Sequence, residues 1–246
     1  MHRFFVKPDQ ITNGTILIGG DDFRLITRVL RIKDSEPFEV CNACGQDFLC
    51  TIQTVGETEL IAKIMAQHPS DGELPYQLSL FQGLPKGHKM DEIIQKGTEI
   101  GFFDFIPFVS KRSVAQIKDK KNKKTVRWQR IAYEAAKQSK RGIVPEIKEA
   151  INGVDEVVKK FEKYDLILLA YELEEKNDLK SILHQFDNSP KKIALIIGPE
   201  GGFAQDEVKK ICAYDGVECL SLGPRILRTE TAGLVLAAQI NFYYEK

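Results

Sequence analysis

The sequence predicts a two-part chain, a small N-terminal domain of short strands followed by a larger α/β layer whose sheet is largely parallel. Residues up to about 70 carry β-branched and aromatic runs bounded by Gly, Asn and Asp. Beyond Pro75, apolar runs of strand length alternate with longer helical periods, the pattern of successive βαβ units. Between the two, His68-Pro69-Ser70-Asp71-Gly72-Glu73-Leu74-Pro75 has linker composition, so the domains are expected at 1–72 and 73–246.

In the first domain, strands are predicted over 37–41, 47–55 and 59–65, with one helix over 21–31. In the second, strands are predicted over 77–82, 103–109, 165–170, 193–197 and 217–221. Met90, Ile93, Ile94 and Gly97 share one helix face, as do Trp128, Ile131, Ala132, Ala135 and Ala136 on the next helix. Arg127, Arg130, Glu134, Lys137 and Arg141 fall on the latter helix's opposite face, which is expected to be free to meet a ligand.

A chain of 246 residues with 43% hydrophobic composition is long and apolar enough to bury a core. No run approaches the roughly eighteen consecutive apolar residues of a membrane span, and Met1-His2-Arg3-Phe4-Phe5 lacks a signal peptide's apolar stretch. A cytoplasmic protein without a membrane partner is expected. The five cysteines are an odd number, which argues against a disulfide framework. Cys41-Asn42-Ala43-Cys44 has zinc-like spacing but no second ligand pair at finger distance, so reduced thiols and no metal are expected.

The formal charge of zero conceals an asymmetry. Between Lys111 and Arg141 twelve Lys or Arg stand against Asp119 and Glu134, a net +10 that leaves −10 for the remainder. So lopsided a run in a neutral protein marks a polyanion site more readily than a solvated face.

Chemistry concentrates near the C-terminus. The apolar run Ile193 to Ile197 leads straight into Gly198-Pro199-Glu200-Gly201-Gly202, then a helix with Asp206 and Glu207 in its first turn. Glycines at a strand's carboxyl end let a ligand approach the backbone. The loop has neither the Walker pattern nor G-x-G-x-x-G, and two acids at a helix start oppose an anion, so a cationic or neutral ligand fits better than a phosphate. A second loop, Leu222-Gly223-Pro224-Arg225-Ile226-Leu227-Arg228-Thr229-Glu230-Thr231-Ala232, opens the last helix, with Thr229 or Thr231 as its cap. Glycine used only for turn geometry is the competing explanation of the first loop.

These two loops, in this order and about twenty residues apart, resemble those of the ribosomal RNA small-subunit methyltransferase E family. The likeness extends to Arg3-Phe4-Phe5-Val6, Val29-Leu30-Arg31, the stretch from Lys86-Gly87 through Gln95-Lys96 to Glu99-Ile100-Gly101, Ile106-Pro107, Arg112-Ser113-Val114 and Gln138-Ser139 with Arg141. Leu25 stands where relatives often carry a histidine, and Lys137 and Lys140 replace the more usual Glu and Gly. The resemblance implies a trefoil-knotted methyltransferase domain of the SPOUT superfamily behind a small PUA-like β-barrel. It further implies a homodimer and S-adenosylmethionine-dependent methylation of uridine N3 in 16S ribosomal RNA of the small subunit. Methylation of another ribosomal or transfer RNA base, or a noncatalytic ribosome-assembly role, stand as alternatives.

On that basis the donor is expected at Leu169, Gly198, Pro199, Glu200, Gly201, Gly202, Leu222, Gly223, Ile226, Leu227, Arg228, Thr231 and Ala232. The imide proton must leave before or during transfer. Arg228 or Arg141 is expected to stabilise charge on the uracil oxygen, and a carboxylate, Glu200 or Glu99, or water to accept the proton. RNA contacts are expected from Arg3, Arg28, Arg31, Lys86, Lys96, Arg112, Lys120, Lys121, Lys123, Lys124 and Arg127. Gly233, Ala237 and Ala238 on the last helix allow close helix approach across a dimer, or burial within one protomer.

Overall fold

A computed structural model describes residues 2–113, 123–174, 177–186 and 190–245. Lys120 and Lys121 of the basic run lie outside the described residues. The chain forms two compact units, residues 1–73 with 136–144, and 74–135 with 145–246.

The first unit is a six-stranded sheet in the order β1-β4-β5-β6-β3-β2, from β1 (Arg3–Phe5), β2 (Ile11–Thr12), β3 (Thr15–Gly19), β4 (Phe38–Cys41), β5 (Gln46–Val55) and β6 (Glu59–Pro69). Only β1 and β4 pair in parallel. The period of two decides the core: Phe38 and Val40, Phe48, Cys50 and Ile52, and Leu60 and Ala62 point inward to meet Phe4, Ile16 and Ile18. The predicted helix is a short α1 (Gly20–Arg24) continued as a π-helical turn over Leu25–Leu30, which ends at Arg31 in the left-handed region. β6 runs on through His68 and Pro69, residues whose composition suggested linker, because β5 is long enough to pair with them.

Residues 136–144, expected in the second domain, belong to the first unit for a local reason. α3 (Lys123–Gln138) stops short of Arg141, where Lys140 takes a positive φ of 59° and the Arg141 N–H closes back on the Ala136 carbonyl at 2.9 Å. Arg141 therefore leaves the helix and does not share its basic face. Its buried guanidinium is held by Glu73 through Nε at 2.8 Å and Nη2 at 2.7 Å, and its carbonyl accepts from Arg3 at 2.9 Å.

The second unit is a parallel sheet in the order β10-β8-β7-β12-β11-β13. Its strands are β7 (Gln77–Gly83), β8 (Asp104–Val109), β9 (Glu146–Ile147, paired only with β8), β10 (Ile151–Asn152), β11 (Leu166–Ala170), β12 (Lys192–Ile197) and β13 (Val217–Leu220). Central strands covered on both faces should be apolar throughout, and Ile193 to Ile197 are all buried. One face, with Phe81, Ile106, Phe108, Ile167, Leu169, Ala194 and Ile196, packs with Val154 and Val157 of α4 (Val154–Val158), Ile211 of α6 (Gln205–Cys212), and Phe203. The other lies under α2 (Lys89–Ile100) and α7 (Thr229–Tyr244); α5 (Leu179–Leu183) links β11 to β12. A side chain at Gly233 would meet Leu80 at 3.2 Å and Ile197 at 3.4 Å. Gly233 is thus buried against its own sheet and Ala237 is buried within the protomer, the within-protomer alternative, and neither supplies a face to a second copy. No helix among the described residues is long and apolar enough to cross a membrane.

Candidate active site

The carboxyl ends of β11, β12 and β13 and the head of α7 surround a cleft of about 750 Å³. Open α/β sheets bind ligands at such ends because the strands stop there while loops and helix starts continue. The first wall is the glycine loop after β12, folded by a bond from the Gly202 N–H to the Pro199 carbonyl at 2.9 Å, with Gly202 at φ 64°. The facing wall is 221–228, which leaves β13 at the sheet edge and crosses to begin α7. Gly223 turns there at φ 101°, and Ile226 stands 87% exposed. The third wall, Tyr171-Glu172-Leu173-Glu174 after β11, contributes Tyr171 and two carboxylates, Glu172 and Glu174.

Three charged residues from three elements meet at the rim. Lys89, the first residue of α2, places Nζ 3.2 Å from Glu200 Oε1 and 3.1 Å from Glu230 Oε2. The Lys86 N–H also donates to Glu200 Oε1 at 3.0 Å. Partial burial pushes the Glu200 carboxyl up, but backbone N–H donors and the Lys89 ammonium outweigh it and hold the group below the usual range. Glu230 is held low by the same balance, with Arg228 adding to it. The hydrogen bond to Glu230 in turn pushes the Lys89 ammonium up.

The threonines do not cap α7. Arg228 is the N-cap residue and caps nothing with its side chain, while the Thr229 hydroxyl turns away to donate to the Gly198 carbonyl at 2.6 Å. The two acids after the glycine loop also have local partners. Glu207 is buried and accepts from the Ala204 N–H at 3.0 Å and the Lys111 N–H at 2.9 Å, and Asp206 pairs with Lys111.

A family model for an RNA methyltransferase domain matches residues 72–241. The chain is 37% identical over 252 aligned positions to ribosomal RNA small subunit methyltransferase E of Bacillus subtilis, covering 100% of this chain and 98% of that protein. It belongs to the ribosomal RNA small subunit methyltransferase E family. A relative of that name from Synechocystis is 34% identical, with 99% and 78% covered. Among solved structures, the family member from Neisseria gonorrhoeae bound to S-adenosyl methionine aligns with a TM-score of 0.83 at 26% identity, covering 99% of this chain and 98% of that one. A methyltransferase from Legionella pneumophila in complex with the same cofactor aligns at 0.81 and 28%, covering 98% and 97%.

In this member of the methyltransferase E family, the cleft brings together Gly198, Pro199, Glu200, Gly202, Leu222, Gly223, Ile226, Leu227, Arg228 and Ala232 of the thirteen residues expected at the donor. Leu169, Gly201 and Thr231 are not among its lining residues. Leu169 is fully buried in the core, and a side chain at Gly201 would press on Arg112 at 3.1 Å. Glu99 is exposed on α2 and Arg141 is buried against Glu73; neither lines the cleft.

Several expected RNA contacts are engaged elsewhere. Arg3 is buried, with its guanidinium on Asp47 at 2.7 Å and on Glu39 at 3.3 Å. Arg127 is paired with Asp91, and Arg112 donates to the Gly201 carbonyl at 3.2 Å; on the expected basic helix face, Lys137 lies 3.0 Å from Asp22 and over the Phe4 ring. The basic face of α3 is therefore not wholly free. Arg28, Arg31, Lys86, Lys96, Lys123 and Lys124 are exposed. Lys89, Glu172, Gln82 and Thr229 carry much of the site's polar geometry and were not singled out as site residues by the sequence. Lys89 lies inside the stretch of likeness that begins at Lys86-Gly87, and Gln82 ends the predicted strand just before it.

Proposed function

We propose that this chain transfers the methyl group of S-adenosylmethionine to N3 of one uridine in 16S ribosomal RNA, as a cytoplasmic homodimer. The observation that carries the reading is the cleft itself, in which two motif loops separated by some twenty residues converge on the ends of parallel strands. Relatives named for small-subunit ribosomal RNA align with the whole chain, and two solved neighbours hold the donor.

The residues present fit that donor. The volume lies within the range of small-molecule sites, Leu222, Ile226 and Leu227 offer apolar surface to an adenine, and Gly198 and Gly223 leave backbone groups accessible. Glu172 and Glu174 supply negative charge suited to a cation. The donor brings an electrophilic methyl on a sulfonium, so the protein's task is to orient it, position the base and dispose of the imide proton. Backbone N–H donors, with Lys89, hold the Glu200 and Glu230 carboxyls below the usual range. Glu200 or a water takes the proton, and Arg228, exposed at the head of α7, stabilises charge on the uracil oxygen.

The finer fold reading belongs to the same proposal: a trefoil knot in the second unit and a PUA-like barrel in the first. The crossing of 221–228 from β13 to a helix head bonded to Gly198 supports the knot, and the six-stranded sheet supports the barrel. For the dimer the support is Ala238 and Phe242, one turn apart on α7 and both exposed, Phe242 at 91%.

The test is methyl transfer from labelled donor to small-subunit ribosomal RNA and to transfer RNA, with mass mapping of nucleosides in cells lacking the gene. Loss of one 3-methyluridine is expected, and transfer to transfer RNA alone would overturn the reading. A monomer mass by light scattering at micromolar concentration would remove the dimer. Neutralising Lys120, Lys121, Lys123 and Lys124 should weaken RNA binding and flatten its salt slope, since each phosphate contact releases condensed counterions.

A further inference from the structure

Gln82, the penultimate residue of β7, is completely inaccessible to solvent and does not line the cleft, yet it is bonded to two residues that do. Its Nε2 donates to Thr229 Oγ1 at 2.8 Å and to the Gly83 carbonyl at 3.0 Å, with the Gly198 carbonyl at 3.5 Å. Two of these neighbours are carbonyl oxygens that only accept, so the amide nitrogen must face them and the side chain's orientation is fixed. With its hydroxyl oxygen accepting from Gln82, Thr229 directs its own proton to the Gly198 carbonyl at 2.6 Å. The outcome is a one-way relay from the end of β7, through the first residue of α7, to the first residue of the glycine loop.

A second contact reinforces it. A Cβ at Gly83 would lie 2.6 Å from the nitrogen and the Cδ of Pro199, so the end of β7 also touches the glycine loop directly. The Gln82 Oε1 atom is buried without a partner among the described residues, so the amide is anchored from its nitrogen side. Burying a polar side chain costs free energy unless it is hydrogen-bonded, and here the bonds to Thr229 and Gly83 supply that compensation.

We propose that Gln82 is a positioning residue for donor binding, acting through Thr229 to hold the Gly198–Pro199 segment and the head of α7 in register. The inference rests on the reading of the cleft as the donor site. Gln82→Leu removes the donor to Thr229, Thr229→Val keeps the shape but removes the hydroxyl, and Thr229→Ser restores it. Affinity for S-adenosylmethionine is read by calorimetry, the KM for the donor and kcat by methyl transfer, and folding by melting temperature.

Gln82→Leu and Thr229→Val should each weaken donor binding about tenfold, the effect of one buried hydrogen bond. The KM for the donor should rise more than kcat falls, because the relay sets the cleft's shape and touches no reacting atom. The double variant should be little worse than the weaker single variant, since both interrupt one chain, and Thr229→Ser should recover most of what Thr229→Val loses. If Gln82→Leu does not fold, the Val and Ser pair at 229 decides the matter. Equal losses in Val and Ser, additive losses in the double variant, or unchanged affinity in the single variants would overturn the inference while the donor site stands. A wild-type protein that binds no donor would overturn both.

Discussion

The Lys89 ammonium lies 3.1 Å from the Glu230 carboxylate and 3.2 Å from that of Glu200, so one side chain at the head of α2 joins the glycine loop to the head of α7. The two motifs most visible in the sequence are thereby linked by a residue belonging to neither.

Lys89→Met should leave two carboxylates facing each other at the rim, loosening both loops and lowering donor affinity. The effect should depend on pH with a definite sign. Both carboxyls titrate below their unfolded values, so the stability they contribute is present above the unfolded glutamate range and lost as pH falls through the folded values. Melting curves of wild type and variant should therefore differ at pH 7 and converge in acid. A constant difference would assign the loss to packing of the lysine stem.

Gly83→Ala and Gly223→Ala separate steric from conformational need. At Gly83 the new methyl meets Pro199 backbone at 2.6 Å, and the fold should lose about 1–3 kcal/mol together with donor affinity. At Gly223 nothing among the described residues lies within 4 Å, so only the left-handed backbone at φ 101° is strained, costing about 1 kcal/mol. Denaturant titration gives the first quantity and calorimetry the second.

Arg141→Met tests whether this arginine belongs to the chemistry. Its guanidinium is 3% exposed and paired with Glu73, whose Oε1 also accepts from the Gly142 N–H at 2.8 Å and the Ile143 N–H at 3.0 Å. Removing the cation should cost about 3 kcal/mol of stability, as when one partner of a buried pair is lost. The rate of methyl transfer per folded molecule should not change.

Burial disfavours the ionised form of Asp104. Burial pushes its carboxyl up against the hydrogen bond from Ser79 and the charge of Lys148, and Oδ1 has no partner among the described residues. A raised folded pKa means that stability is lost as pH climbs from the unfolded aspartate value through the folded one. Asp104→Asn should therefore melt higher than wild type at pH 7, and the advantage should vanish near pH 3, below the unfolded value of about 3.9.

The larger strands and both motif loops were legible in the sequence because their signals are local. Ile193 to Ile197 form an unbroken apolar run, Phe38, Val40, Phe48, Cys50 and Ile52 alternate, and glycines follow a strand end. Strands β1, β2, β9 and β10, of two or three residues, are too brief to show a period, and pairing with longer neighbours defines them; β3, five alternating residues, was long enough to be legible and lies outside the predicted strands.

The basic run was equally plain as composition, but composition does not report partners. Asp91, Asp22 and Glu73 stand far from Arg127, Lys137 and Arg141 in the chain, and only folding brings each acid to its cation. The same holds at the cleft. Ten of its residues could be named from two contiguous motifs, whereas Lys89 and the Glu172 wall come from other segments, as does Gln82 behind the cleft. A sequence fixes side-chain chemistry and local period; which hydroxyl meets which carbonyl, as Thr229 meets Gly198, depends on the order of strands in the sheet, which no local pattern encodes.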